Sequence, residues 1–253
     1  DFGRALSPES LAAAVEEASN IFRRTPRGLE EPPYEVVGTK EGFELRRYRK
    51  FTVATRKMQS DASEGFSSAE GFTTLAGYLF GNNEAERSMA MTMPVEISYD
   101  DKSPDARTMA FVLPAQDVVM DQGPPKPRDP SVQVSEVPER LVAVREFAGL
   151  ATKGEVERQF EKVLELVEAD GGYSAVGEGQ YSVLQYNPPY TLPWRRRNEI
   201  AVVVEESGSP AGAEEAATGV EPIAEAVADE SGAEVVEQGS DVDVGEETSA
   251  TPA

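Results

Sequence analysis

Three stretches of the chain concentrate residue types that could hold a ligand or do chemistry. Met89-Ala90-Met91-Thr92-Met93-Pro94-Val95 sets three thioethers at alternate positions. In a strand, alternate residues share one face, which would line up polarizable sulfur against a large aromatic macrocycle or its metal. Filling an irregular core is the commoner use of any single Met, and both readings stand. On the helical segment before it, Ala69, Phe72, Ala76 and Gly77 fall on one side, with Leu75 and Leu79 on the adjoining side. Small residues beside a Phe let a planar ring approach the backbone, and they equally permit plain helix-to-sheet packing. The third stretch, Tyr186-Asn187-Pro188-Pro189-Tyr190-Thr191-Leu192-Pro193-Trp194-Arg195-Arg196-Arg197-Asn198-Glu199, is an aromatic loop stiffened by three prolines and followed by three arginines. Guanidinium groups at an aromatic wall suit an apolar ring bearing carboxylates, because Arg pairs with carboxylate in bidentate fashion. A structured hairpin loop with a hydrated basic end is the alternative.

Other chemistries are excluded by what the chain lacks. It has no His and no Cys, so His-based zinc sites, Ser-His-Asp or Cys-His catalysis, imidazole ligation of iron and disulfides have no residues to use. Gly177-Glu178-Gly179 lacks the third glycine of a dinucleotide fingerprint. Asp241-Val242-Asp243 lacks the remaining ligands of a calcium loop. No carboxylate stands in an apolar setting that would tune it for acid–base work. The net charge of −22 is uneven: Glu205 to Ala253 hold fourteen Asp/Glu and no Lys or Arg, which leaves residues 1–204 near −8. Without a concentrated basic face, nucleic-acid binding is not expected, and no apolar run approaches the ~18–20 residues of a membrane span.

The elements that must position these stretches follow from periodicity. Ser7-Pro8-Glu9 opens a helix, and Leu11, Val15, Ala18 and Phe22 give it an apolar stripe to about Arg24. Docking on the main domain is its expected role, with a membrane-surface helix as the competing one. Two strand-like runs are expected, Tyr34–Val37 continuing through Phe43–Tyr48, then Phe51–Lys57, before a helix over Ser67–Phe80 stopped by Gly81-Asn82-Asn83. Met89–Tyr99 and Arg107–Leu113 complete a first unit. After the proline-rich Gly123–Pro130 the order repeats, with strands at Val132–Val137 and Leu141–Phe147, a helix at Lys153–Asp170, and strands at Tyr181–Tyr186 and Asn198–Val204. Two β-β-α-β-β units imply an α+β domain: a twisted, mostly antiparallel, distorted and partly closed barrel with two flanking helices. A groove between helix and sheet is the natural seat for a flat ligand. The tail, rich in Ala, Glu, Val and Gly, is expected to be disordered.

The chain resembles the SOUL/haem-binding protein family, particularly its chloroplast-type plant and algal members. The resemblance spans roughly Tyr34 to Glu205 and rests on five motifs in order. These are Leu79-Phe80-Gly81-Asn82-Asn83, Met91-Thr92-Met93-Pro94-Val95, Pro125-Lys126-Pro127-Arg128-Asp129-Pro130-Ser131-Val132, Gln185-Tyr186-Asn187-Pro188-Pro189 and Arg196-Arg197-Asn198-Glu199. It implies a pseudo-duplicated barrel and non-catalytic, reversible binding of haem or another porphyrin in a hydrophobic groove beside the first helix. The site residues it implies are Ala69, Phe72, Ala76 and Gly77, with Tyr186 from the loop; Met91 and Arg195 are added from the motif readings above. Departures accompany it: long apolar or basic side chains often stand where this chain has Ala76 and Gly77, a propionate-binding lysine is replaced near Thr191 and Leu192, and an axial histidine has no counterpart. The expected organisation is residues 1–33 as helix and connector, 34–206 as the binding domain and 207–253 as an acidic tail. The expected protein is a monomer that buffers or transports a tetrapyrrole in the plastid, at the thylakoid or plastoglobule. The alternative is an interaction or scaffold protein on plastid lipid bodies or membranes, with no pigment.

Overall fold

The computed structural model describes residues 23–58, 69–100, 107–118, 123–208 and 221–222. The N-terminal helix expected up to Arg24 lies almost wholly outside them; Arg23 and Arg24 themselves are non-helical. Residues 224–253 form a separate unit that is not described. The expected tail lies outside the described residues apart from two stretches, Ser207–Gly208 and the short strand Glu221–Pro222.

The chain runs β1 (Tyr34–Lys40), β2 (Phe43–Tyr48), β3 (Phe51–Met58), α1 (Ala69–Leu79), β4 (Val95–Asp100), β5 (Arg107–Val112), the one-turn α2 (Ala115–Val118), β6 (Val132–Val137), β7 (Arg140–Phe147), α3 (Lys153–Asp170), β8 (Tyr173–Ala175), β9 (Gln180–Gln185), β10 (Asn198–Glu206) and β11 (Glu221–Pro222). Every pairing between these strands is antiparallel, in the order β1-β2-β7-β10-β9-β4-β5-β3-β6-β11, with β8 beside β10. This is the α+β architecture read from the sequence. The duplication shows in the order. Exchanging β2 with β6, β3 with β7, β4 with β9 and β5 with β10 reverses the central eight strands onto themselves. Each half also lends a strand to the other, since β2 pairs with β7 and β6 with β3.

Alternation along the strands sends side chains to two faces. On one, Leu45, Ala54, Met109, Phe111, Val183 and Ile200 join the buried sides of both helices. The other, concave face collects Tyr48, Val53, Val112, Val144, Leu184 and Tyr186. The sheet curls so far that β2 and β3, near its opposite edges, are joined by Arg49 and Lys50 alone. Helix α3 follows its sequence pattern, burying Val156, Phe160, Val163 and Val167, and ends where Gly171 turns left-handed at φ 69° and returns its N–H to the Val167 and Glu168 carbonyls. Helix α1 buries Leu75, Tyr78 and Leu79 against β3, β5 and β6.

One expected strand is shorter than read. β4 begins at Val95, not Met89, so the three methionines share no strand face. Met89 and half-buried Met91 pack on the helical side, whereas Met93 enters the concave side. The segment is held by other bonds: Met89 N–H donates to Leu79 O at 2.7 Å, Met93 N–H to Glu30 O at 2.9 Å, and Thr92 Oγ1 to Val112 O at 2.6 Å. Pro94, which cannot donate to a ladder, stands just before the pairing starts.

Candidate functional site

The sequence reading brings Phe72 and Tyr186 to one slot; the structure separates them. Phe72 is 39 % exposed on the flank of α1, its ring edge-on to buried Phe111 with centroids 5.2 Å apart. Ala76, one turn on, is half-buried, and Phe80, one turn further, is 59 % exposed. Residues at i and i+4 lie along one side of a helix, so α1 sets Phe72 and Ala76 in line, and Phe80, one residue past the helix end with its N–H still bonded to Ala76 O at 2.9 Å, continues the stripe. Gly77 stands beside it, and a Cβ there would meet nothing closer than Asn82 at 3.9 Å. Its lack of a side chain is therefore not forced by packing. Ala69 opens the helix. In the sequence Phe80 reads only as a helix end; the repeat of four through Phe72, Ala76 and Phe80 is the signal that adds it to the stripe.

Tyr186 instead belongs to the concave face. It is 3 % exposed, its hydroxyl donates to Glu199 Oε2 at 2.8 Å, and the Arg197 guanidinium covers its ring at 3.8 Å. This corrects the expectation that Tyr186 walls the slot, because no part of it is left for a ligand. The loop beyond it leans another way. Gly149 N–H donates to Pro193 O at 2.9 Å and Asn198 Nδ2 to Gly149 O at 3.0 Å, so the loop sits on the β7–α3 connection. Trp194 there is 70 % exposed, with Tyr190, Leu192 and Leu150 also exposed, and Arg195 is exposed on a short 3-10 turn.

Glu199 is the buried charge the sequence reading missed. Fully buried on β10, it accepts Arg46 Nη1 at 2.8 Å and Nη2 at 3.1 Å, Arg197 Nη2 at 2.7 Å and Nε at 3.0 Å, and the Tyr186 hydroxyl. Burial pushes its carboxyl pKa up, but the two guanidiniums outweigh burial and hold it below the ordinary value. Burial also pushes the Tyr186 phenol far up, helped by the Glu199 charge. The spacing of two between Arg197 and Glu199 signals a shared strand face; the partner Arg46 comes from β2 of the other half and has no local signal. With all its oxygens engaged by cations, Glu199 is a poor acid or base and a strong cross-link. Residues 23–33 run over this end of the sheet, where Arg197 Nη1 reaches Thr25 Oγ1 at 3.3 Å and Asn187 Nδ2 donates to the Arg23 and Arg24 carbonyls at 3.1 Å each.

The five motifs thus act largely as ties. Asn83, fully buried, donates to Tyr78 O and Arg87 O and accepts Arg87 N–H, closing the end of α1. Tyr78 hydroxyl donates to Pro125 O at 2.7 Å, and Asn83 bridges Pro127, so the first motif holds the third.

The model of a family described as SOUL heme-binding protein matches residues 29–203 of this chain. Human Heme-binding protein 2 is 28 % identical over 205 residues, spanning 78 % of this chain and 93 % of the relative. Heme-binding protein 1 of Xenopus laevis is 29 % identical over 170 residues, spanning 64 % and 85 %. A crystal structure of an uncharacterized conserved protein from Listeria innocua is similar in fold, with a TM-score of 0.50 at 10 % identity over 66 % of this chain and 94 % of that one.

Proposed function

We infer a function that starts from kinship: the chain belongs to the SOUL heme-binding protein family. It binds haem or a related tetrapyrrole reversibly, without a catalytic site of its own, and so buffers or carries the pigment. The aromatic stripe Phe72–Ala76–Phe80 is the observation that carries this reading beyond the family name, because a large flat ring needs an open apolar surface. Gly77 and the first turn at Ala69 border or extend it on the helix, and half-buried Met91 packs on the same helical-side cluster. The driving force is ring burial, at about 25 cal/mol per Å² before association costs. Iron ligation by imidazole is impossible in a chain without His, so iron-free porphyrin binds nearly as well as haem. Arg195, whose loop sits on the β7–α3 connection and not on α1, is proposed from the motif alone as a partner for the ring carboxylates.

Titration of the full chain with haemin and with protoporphyrin tests this. The expected result is a saturable spectral change at micromolar ligand for both, weakened by Phe72→Ser. Absence of any saturable change with either pigment rejects it. Arg195→Ser in the same titration keeps or removes the carboxylate role. The plastid location is proposed on the likeness of the motifs to chloroplast-type members, and a fluorescent fusion of the native gene product checks it.

The exposed Trp194, Tyr190, Leu192 and Leu150 favour a second reading, a protein that rests on plastid lipid bodies or membranes with its stripe unoccupied. Trp and Tyr partition to the lipid–water boundary. Flotation with liposomes that is abolished by Trp194→Ser, together with failed pigment titrations, would select it.

A further inference from the structure

We propose that the concave face of the sheet carries a second binding site, for a small hydroxylated anion, on the side of the sheet opposite α1. Its basis is a band of polar side chains where a curled sheet ordinarily packs apolar ones. Directly paired residues share a face, so the register maps this band. One row reads Ser182, Ser98, Thr108 and Lys57 across β9, β4, β5 and β3. The next reads Leu184, Glu96, Ala110, Thr55 and Gln133, ending on β6. Only in the row after that, with Val112, Val53 and Ser135, does the face turn mainly apolar. Val53, Ala110, Val112 and Leu184 in these rows belong to the concave cluster, which fixes the side.

At the β3–β5–β6 end of the band a cleft of ≈ 490 Å³ opens, lined by Thr55, Lys57, Thr108, Pro130, Ser131 and Gln133. That volume is in the ~300–1,000 Å³ range of small-molecule sites. Deeper on β6, two residues from Gln133 and so on the same face, Ser135 is fully buried and its hydroxyl has no hydrogen-bond partner among the described residues. A buried unpartnered hydroxyl costs stability, and Ser135 lies behind the cleft rather than in its lining. Beside the cleft, buried Glu96 accepts Ser182 Oγ at 2.7 Å and Arg140 Nη2 at 3.4 Å, and the Ser98 and Ser182 hydroxyls lie 3.2 Å apart. Lys57 is the one cation in the lining and has no ion pair with a described residue. Ser131 is committed to Asp129, through its N–H at 2.8 Å and its hydroxyl at 2.7 Å. Thr55 Oγ1 donates to Gln133 O at 3.3 Å, so Thr108 brings the uncommitted hydroxyl of the lining and the others can still accept; one ammonium, these hydroxyl oxygens and an amide recognise a ligand bearing one anionic group and several hydroxyls, in the manner of a sugar phosphate or sugar acid.

The experiment is a backbone-amide NMR titration of the full chain with glucose 6-phosphate, with glucose and inorganic phosphate as separate arms. Saturable shifts at Thr55, Lys57, Thr108 and Gln133 are expected with glucose 6-phosphate, and at least tenfold weaker responses with each control. Lys57→Met should weaken the response about tenfold, and Thr108→Val, which keeps the side-chain shape, should weaken it by several-fold. Haemin should leave these shifts in place, so the site stands or falls apart from pigment binding. No shift at these amides overturns the proposal. Glucose binding equally well removes the anion from it, phosphate binding equally well removes the hydroxyl recognition, and either result also overturns it.

Discussion

Helices α1 and α3 occupy equivalent places in the duplicated order, yet their outer flanks differ. Both bury an aliphatic and aromatic side in the same cluster: Leu75, Tyr78 and Leu79 for one, Val156, Phe160, Val163 and Val167 for the other. Away from the sheet α3 is a solvated surface. Glu155 pairs with Arg158 at 2.6 Å, Lys162 with Glu165 at 2.9 Å, and Lys153 with Glu157 at 3.8 Å. On α1, Glu70 pairs with Arg56 at 2.6 Å, and then the flank turns to Phe72, Ala76 and Phe80. Since folding asks the same of both helices, the apolar flank of α1 is the part left for something other than folding.

That contrast can be broken at its shared base or sharpened at its divergent flank. The largest effects belong to the base. Phe160→Ala, which removes a ring stacked 4.1 Å from Tyr181, should cost about 3–5 kcal/mol, and Leu75→Ala about 2–5 kcal/mol, in urea unfolding. If either is silent, the two helices do not share the same inner task. Next come Phe72→Ser and Phe80→Ser. Each should lower porphyrin affinity about tenfold, or ~1.4 kcal/mol, Phe80→Ser with little change in the unfolding midpoint and Phe72→Ser with a further loss from its edge-on contact with Phe111, while Glu161→Ser on α3 leaves affinity unchanged.

A smaller, pH-resolved effect separates the helices at Tyr78. Burial pushes its phenol from the ordinary 10 up to about 12. The neutral phenol therefore stabilises the fold fully below pH 10, and that contribution is lost as pH rises from 10 through 12. Tyr78→Phe should flatten the alkaline fall in urea midpoint over this window; Tyr48, also raised to about 12 by burial, keeps its own share. Helix α3 contains no tyrosine. Smallest of all, Arg158→Ala on the exposed flank of α3 should change stability by about 0.3–0.5 kcal/mol, and a larger loss would mean that flank is not merely solvated.

Period and punctuation made most of the fold legible. The α3 stripe, the Gly81-Asn82-Asn83 stop and the ~90-residue echo of Phe51 by Leu141 all arise from local backbone physics. The Met89–Met93 row failed because alternation was read as a strand, whereas Pro94 and the bonds to Glu30, Leu79 and Val112 place that run before the ladder. Phe72, Ala76 and Gly77 were legible as one helix side. Tyr186 was misplaced because its fate depends on Glu199 and Arg46, and Arg46 comes from a strand of the opposite half. Long-range pairing of that kind leaves no trace in spacing. The motif strings mark ties within the scaffold more than surfaces for a ligand, which is why they identified the family better than the site.

The exchanged strands also impose an order on biosynthesis. Phe43–Tyr48 leaves the ribosome well before its neighbour Arg140–Phe147 exists, and its Arg46 must wait longer still for Glu199. Until then the nascent chain displays an unmatched β-edge and an Arg46 paired only with its strand neighbour Glu44, a state in which chaperone capture or off-pathway association competes with folding.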